Sequence, residues 1–172
     1  MPILAPEIDI FPDTLLDESP NRDSQWWAIY TLARREKDFA RRLRQMEIPF
    51  FLPTVKRQLR SASGRKRESF VLLFPGYVFL CGSDEQRHRA MSTRCVSRCL
   101  EVRDVGQLEH DLRQVQKLIS SDAPLTPEAR LAPGAAVRIA SGAMQGLEGT
   151  VVRRQGRDWL VVAVRFLQQG VS

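Results

Sequence analysis

Apolar and polar positions alternate along QWWAIYT, residues 25–31, with Trp26, Ala28 and Tyr30 on one side and Trp27 and Ile29 on the other. That period of two, in β-favouring residues, predicts a strand. In the next segment Phe39, Leu43 and Met46 recur at i, i+4 and i+7 with Ala40 beside them, which predicts a helix whose remaining surface carries Arg34, Arg35, Lys37, Arg41, Arg42 and Arg44. PFFLPTVKRQL, residues 49–59, starts apolar and turns basic, RSASGRKRES reads as a hairpin tip around Gly64, and FVLLFPGYVFLCG returns as the partner strand. A helix with Ser83 as its N-cap, a short strand over CVSRCLEV, and a helix marked by Leu108, Leu112, Val115 and Ile119 follow.

The run LFPGYVFL, residues 73–80, is the most strand-like of all, yet Pro75-Gly76 sits in its middle. Proline cannot donate to a ladder, and Pro-Gly is a turn signal. The pair is expected to turn the chain at the lip of a sheet and to leave the rings of Phe74 and Tyr77 presented rather than swallowed by the core.

Three prolines and no periodicity make SSDAPLTPEARLAPG an interdomain connection. Beyond it AAVRIA, GTVVRR and DWLVVAVRF are short β-rich runs between glycine-containing turns, with only GVS left as a last strand, and no helix fits. This predicts a small β-barrel.

Charge changes the picture more than length or composition does. The net charge of +6 is uneven: residues 1–24 carry one Arg against six acids, residues 25–104 seventeen Lys/Arg against eight acids, and residues 105–172 eight against six. The middle segment is where a polyanion is attracted, whereas the N-terminal stretch reads as a flexible acidic tail. No apolar run approaches the ~20 residues of a membrane span, and the N-terminus lacks a signal-peptide pattern. Three cysteines, Cys81, Cys95 and Cys99, suit a reducing cytoplasm. Cys95 and Cys99 with His88 and His110 lack zinc-site spacing, and no phosphate loop, nucleophile elbow or spaced acid pair is present. The expectation is a non-enzyme with no metal and no cofactor.

The order strand WWAIYT, helix with RREK, FFLPT, basic hairpin, LFPGYVFL, helix, STRCV resembles the N-terminal domain of the NusG family of transcription elongation factors, including its specialised RfaH-like paralogues. VRIASGAMQGLEGTVV resembles that family's KOW module, with Val137, Ile139, Gly142, Gly146, Gly149 and Val151 as the motif positions. The resemblance implies an α+β chain: a flexible tail over 1–24, a four-stranded, mainly antiparallel sheet flanked by helices over 25–119, a linker over 120–133, and an SH3-like KOW barrel over 134–172. A KOW domain that switches fold, as in some relatives, does not suit the β-branched run WLVVAVRF.

It also implies a function. The first domain docks on the clamp helices of the largest catalytic RNA polymerase subunit through Tyr30, Phe74, Pro75, Tyr77 and Phe79, and suppresses pausing or termination. Arg34, Arg35, Arg65, Lys66 and Arg67 face the non-template DNA strand. The KOW domain recruits a small-subunit ribosomal protein or a termination factor, and the protein works as a cytoplasmic monomer. RREK and FFLPT before a short basic hairpin resemble the specialised group, although Arg87, His88 and Arg89 stand where that group has small hydroxyl residues, so any contact made there has different chemistry. The rival reading is a ribosome- or RNA-binding KOW protein with no polymerase role.

Overall fold

In the computed structural model residues 8–17, 24–121, 123–128, 130 and 133–171 are described. The first of two compact units, Met1–Arg103, runs β1 (Ile10–Phe11), β2 (Gln25–Thr31), α1 (Glu36–Gln45), β3 (Phe50–Phe51), β4 (Thr54–Arg60), β5 (Lys66–Leu72), β6 (Tyr77–Gly82), α2 (Asp84–Met91) and β7 (Val96–Glu101). The alternating residues of β2 make it the strand between β6 and β7, in a sheet of order β1-β3-β6-β2-β7 whose pairings are all antiparallel. One face of that sheet, with Trp27, Ile29, Phe50, Val78 and Leu80, packs with Phe39, Ala40 and Leu43 of α1 and Ala90 of α2. Burying a ring such as that of Phe39, which is fully covered, contributes on the order of 1.5–3 kcal/mol. Trp26, Ala28 and Phe79 on the other face are buried as well.

Local chemistry matches these elements. Glu36 and Asp38 lie in the first turn of α1 and Arg42 and Arg44 in its last, complementing the helix dipole. α2 opens on a capping box: the Ser83 hydroxyl accepts from the Gln86 amide at 3.2 Å, and the Gln86 side chain accepts from the Ser83 amide at 2.9 Å. β4 and β5 pair only with each other among the described residues, as a two-stranded ribbon of seven residues a side.

The second unit, Asp104–Ser172, holds α3 (Val105–Ser120), β8 (Pro127–Glu128), β9 (Ala135–Arg138), β10 (Glu148–Arg154), β11 (Arg157–Val164), a 3-10 turn over Arg165–Leu167, and β12 (Gln169–Val171). The strands form an antiparallel sheet of order β8-β12-β11-β10-β9 around Leu147, Val161, Val162, Val164 and Val171. The Gln155-Gly156 turn joining β10 to β11 has φ of 52° and 74°, the left-handed geometry favoured in two-residue hairpins.

Several expectations need correcting. The first sheet has five strands rather than four, because residues read as a tail supply β1, which pairs with β3, while Leu16 is buried and the Arg44 guanidinium lies 4.4 Å from the centroid of the Phe11 ring. A short acidic segment can thus be held by backbone bonds and two apolar anchors; the rest of the expected tail, residues 1–7 and 18–23, lies outside the described residues. In the expected linker over 120–133, Leu125 is buried and β8 pairs with β12; residues 122, 129, 131 and 132 lie outside the described set. α3, expected in the first domain, falls in the second unit, where its Asp111 carboxylate accepts from the Arg165 amide at 3.0 Å and its Gln114 side chain from the Glu148 amide at 3.0 Å. Arg165 and Phe166 leave the strand for a 3-10 turn.

Ser83→Ala removes one half of the capping box without touching the core. It should lower stability by about 1 kcal/mol, read as a shift of the urea midpoint with an unchanged slope.

Candidate functional site

Pro75-Gly76 does not interrupt a strand at random; it forms a turn that ends the hairpin's return and starts β6. Pro75 occupies the second position, Gly76 the third with φ of 89°, and the Tyr77 amide donates to the Phe74 carbonyl at 3.1 Å. Those are the features of a type II turn. Both sides of the Gly76 residue are gripped. Its carbonyl accepts from the Thr31 amide at 2.8 Å, and its own amide donates to Oε1 of Glu36 at 2.9 Å. Glu36 is the first residue of α1 and is buried, so a carboxylate shielded from water is spent on one backbone N–H, a charge-assisted bond.

The turn supports an aromatic surface. Tyr30 and Tyr77 are cross-strand partners, with ring centroids 5.1 Å apart and planes tilted by 56°. The Tyr30 ring also lies over Gly76 so closely that a Cβ there would meet its Cε2 at 2.8 Å. Tyr30 is 41% exposed and Leu32 47%. Together with Thr31, Ala33, Arg34, Glu36, Pro75, Gly76 and Ser97 they line a concavity of about 400 Å³. Phe74 departs from the expectation that its ring is presented: it is 1% exposed and meets the equally buried Phe79 edge-on at 6.4 Å. The turn points Pro75 outward and folds Phe74 inward, so of the five apolar positions Tyr30, Pro75 and Tyr77 reach the surface, while Phe74 and Phe79 lie beneath it.

The basic positions fall into two groups. Arg34, with φ of 61°, and Arg35 precede α1; Arg34 is exposed and Arg35 pairs with Asp38 at 3.1 Å. Arg65, Lys66 and Arg67 are exposed at the far end of the β4–β5 ribbon, about 20 Å along the strands from its root. Arg57 and Arg60 add to them. None of these five ribbon cations has an acidic partner among the described residues, whereas Lys56 pairs with Glu68 at 2.7 Å. Arg60 sits directly opposite Lys66, a like-charge pair that disfavours the ribbon.

Behind α1, partial burial pulls the Asp38 carboxyl upward, but hydrogen bonds from the Cys95 thiol and Arg35 and the charge of Arg42 outweigh it and hold Asp38 below the ordinary carboxylate range. Burial in turn pushes the Cys95 thiol up, only partly offset by a hydrogen bond with Thr93, so Cys95 is a protonated donor rather than a nucleophile. Arg87 does not project as an open contact: it bonds Asp84 at 2.8 Å and stands 5.9 Å from the Trp27 ring centroid. The His88 ring lies 2.9 Å from the Asp84 carbonyl, and Arg89 reaches the Met46 carbonyl at 3.5 Å.

In the second unit Val137 lies in β9, and Gly149 and Val151 in β10, with Gly149 opposite Val137. Ile139, Gly142 and Gly146 belong to the connection between those strands, closed by bonds from Gly146 to Ile139 at 2.8 Å and from Ile139 to Leu147 at 2.9 Å. Leu147 is fully buried, and a Cβ on Gly149 would strike the Val161 carbonyl at 2.5 Å. The glycine lets two strands approach. Trp159 and Phe166 are exposed. Among the described residues no three His, Cys, Asp or Glu side chains gather as metal ligands, and no helix is long and apolar enough to cross a membrane.

Residues 24–118, more than half of the chain, match the family model NusG, described as "Transcription termination factor nusG". The chain belongs to the NusG family. It is therefore a transcription factor of a family that generally binds RNA polymerase and is not one of enzymes. No curated protein matches this NusG-family chain. The sequence points to the aromatics of the turn and places Lys37 only on the polar surface of the first helix, while Glu36, Thr31 and Leu32 carry no site expectation; an acid at the first position of a helix is the one available signal for Glu36.

Gly76→Ala places a side chain at positive φ and against Tyr30. It should cost about 1–3 kcal/mol of stability and change the ring-current shifts of the Tyr30 amide's neighbours in an NMR spectrum. Asp38, depressed in the folded state, contributes stability that is complete above the unfolded carboxyl value of about 3.9 and fades as pH falls through the lower folded value. The melting temperature of Asp38→Asn should consequently fall less steeply below about pH 4 than that of the parent; equal slopes would mean that the Asp38 contacts do not survive in solution.

Proposed function

We propose that this NusG-family protein is an elongation and antitermination factor, of the specialised RfaH-like kind, that docks on the clamp helices of RNA polymerase through the surface built on the Pro75-Gly76 turn. The observation that carries the reading is the half-exposed Tyr30, packed at a tilt against Tyr77 and seated on a turn that Glu36 and Thr31 hold by hydrogen bonds. A rigid, amphipathic ring beside exposed Leu32 has the character of an interface anchor. Phe74 and Phe79 support that surface from below instead of touching the partner. Bound there, the factor suppresses pausing or termination, with Arg34, Arg35 and the ribbon cations Arg65, Lys66 and Arg67 along the non-template strand; phosphate contacts need only positive charge within reach.

The second unit acts as a KOW domain that recruits a small-subunit ribosomal protein or a termination factor. Its strand–turn–strand with buried Leu147 and the close-packed Gly149 supports this assignment.

Tyr30→Ala should leave a cooperative melt within several degrees of the parent while lowering affinity for purified core polymerase roughly thirtyfold, the equivalent of ~2 kcal/mol. Phe39→Ala, in the core, should lose ~3–5 kcal/mol of stability instead. Normal polymerase binding by folded Tyr30→Ala would remove the docking surface from this reading and leave an RNA-binding KOW protein as the better account. Replacing Arg65, Lys66 and Arg67 with Ala should flatten the salt dependence of single-stranded DNA binding by about 0.7 in log K against log salt for each phosphate that is no longer neutralised; an unchanged slope would mean that these cations only solubilise the ribbon.

A further inference from the structure

Two neighbours at the start of α1 each grip the chain segment that leads from the ribbon to the turn. Glu36 takes the Gly76 amide at 2.9 Å, and Lys37 donates from Nζ to the Phe70 carbonyl at 3.0 Å. Phe70 lies near the root of the ribbon, opposite Lys56 in the β4–β5 pairing. We propose that Glu36 and Lys37 form a paired clip that fixes the aim of the basic ribbon relative to the Pro-Gly turn, and that Lys37 is thereby a positioning residue for polyanion binding. The inference rests on the polyanion reading of the ribbon.

A two-stranded ribbon has little rigidity of its own. This one joins the rest of its unit through Leu52-Pro53 on one side and residues 73–76 on the other, where the Leu73 amide donates to the Pro53 carbonyl at 3.0 Å. Over a lever of about 20 Å, a small rotation at that root moves Arg65, Lys66 and Arg67 by several ångströms. α1 is the fixed reference, because Phe39 and Leu43 are fully buried in the core. Lys37 is partly buried and has no carboxylate partner among the described residues. An ammonium group drawn out of bulk water toward a single carbonyl, rather than left in solvent with its three donors, is serving geometry. Because Glu36 and Lys37 are consecutive, whatever holds the turn also holds the ribbon root.

The experiment uses the full chain labelled with 15N. In the parent, residual dipolar couplings from amides of β4 and β5 should fit the same alignment as those of α1, β2 and β6. Lys37→Met keeps the length of the side chain but removes the bond; the ribbon couplings should shrink and leave that fit, while the core melt stays cooperative. Lys37→Arg should restore them. Titration with a fluorescent oligo-dT then reads function: Lys37→Met should lower the magnitude of the salt slope by more than the ~0.7 that removal of one phosphate contact gives, since several ribbon cations lose their placement together. Ribbon couplings that still fit the common alignment in Lys37→Met would overturn the inference. So would a drop of only ~0.7 with the ribbon unmoved, which would make Lys37 a plain phosphate contact. A parent chain that binds no oligo-dT would sink the polyanion reading and the functional half of the inference with it, and the coupling data alone would still decide whether the clip exists.

Discussion

The first unit is organised around one hydrogen bond, from the Gly76 amide to the buried carboxylate of Glu36. It joins the start of α1 to the turn that begins β6, and the Thr31 amide completes the grip from the end of β2. Three elements thus meet at one residue. The left-handed φ of Gly76 makes the turn possible, and the missing Cβ lets the Tyr30 ring rest on it. A side chain at this position would strain the turn at its positive φ and press against the Tyr30 ring. A buried charge left without its partner is costly, which is why this small set of contacts specifies geometry out of proportion to its size.

The surface built on that point separates apolar from charged groups. Tyr30, Leu32 and Pro75 are exposed at the turn, whereas Arg57, Arg60, Arg65, Lys66 and Arg67 lie out along the ribbon. Their chemistry makes different demands. An aromatic anchor needs a rigid seat, since much of its binding energy is lost if the ring must be ordered first. Phosphate contacts tolerate movement of individual side chains but depend on how many cations reach the strand at once. The rigid part of the unit therefore holds the ring, and the two-stranded ribbon carries the charges. Lys56–Glu68 is the one neutralised pair on the ribbon among the described residues, so most of its charge is left unpaired.

Much of this was legible in the sequence where a pattern is local. The period of β2, the stripe of α1, the Ser83 cap and the hairpin tip follow from spacing and turn chemistry, and each appears as expected. Pro-Gly announced a turn, but its effect on Phe74 was not local. The ring is turned inward because the backbone reverses at Pro75, and only the three-dimensional path shows which neighbour is presented. β1 was missed because two residues with a proline beside them carry no period; what fixes them is the free edge of β3, about forty residues away. β8 was missed for the same reason, hidden in a proline-rich stretch and fixed by β12.

α3 shows where a sequence boundary and a physical one part. The NusG match runs through residue 118 and so includes all but the last two residues of this helix, yet its polar groups are committed to the second unit. Asp111 takes the Arg165 amide, Gln107 bonds both Asp111 and the Arg165 guanidinium at 2.8 Å, Gln114 takes the Glu148 amide, and Lys117 donates to the Gln145 carbonyl. His110 and Arg138 both meet Glu148; the Arg138 guanidinium, with a smaller contribution from His110, outweighs the upward pull of burial and holds the carboxyl below its ordinary range. A family boundary records which residues recur together along a chain. A physical boundary falls where buried hydrogen bonds would have to be broken, and for Asp111, at 4% exposure, releasing the helix would break the bond from the Arg165 amide and leave the carboxylate only the Gln107 donor of its own helix. The bonds of α3, more than its place in the sequence, decide which unit it folds with.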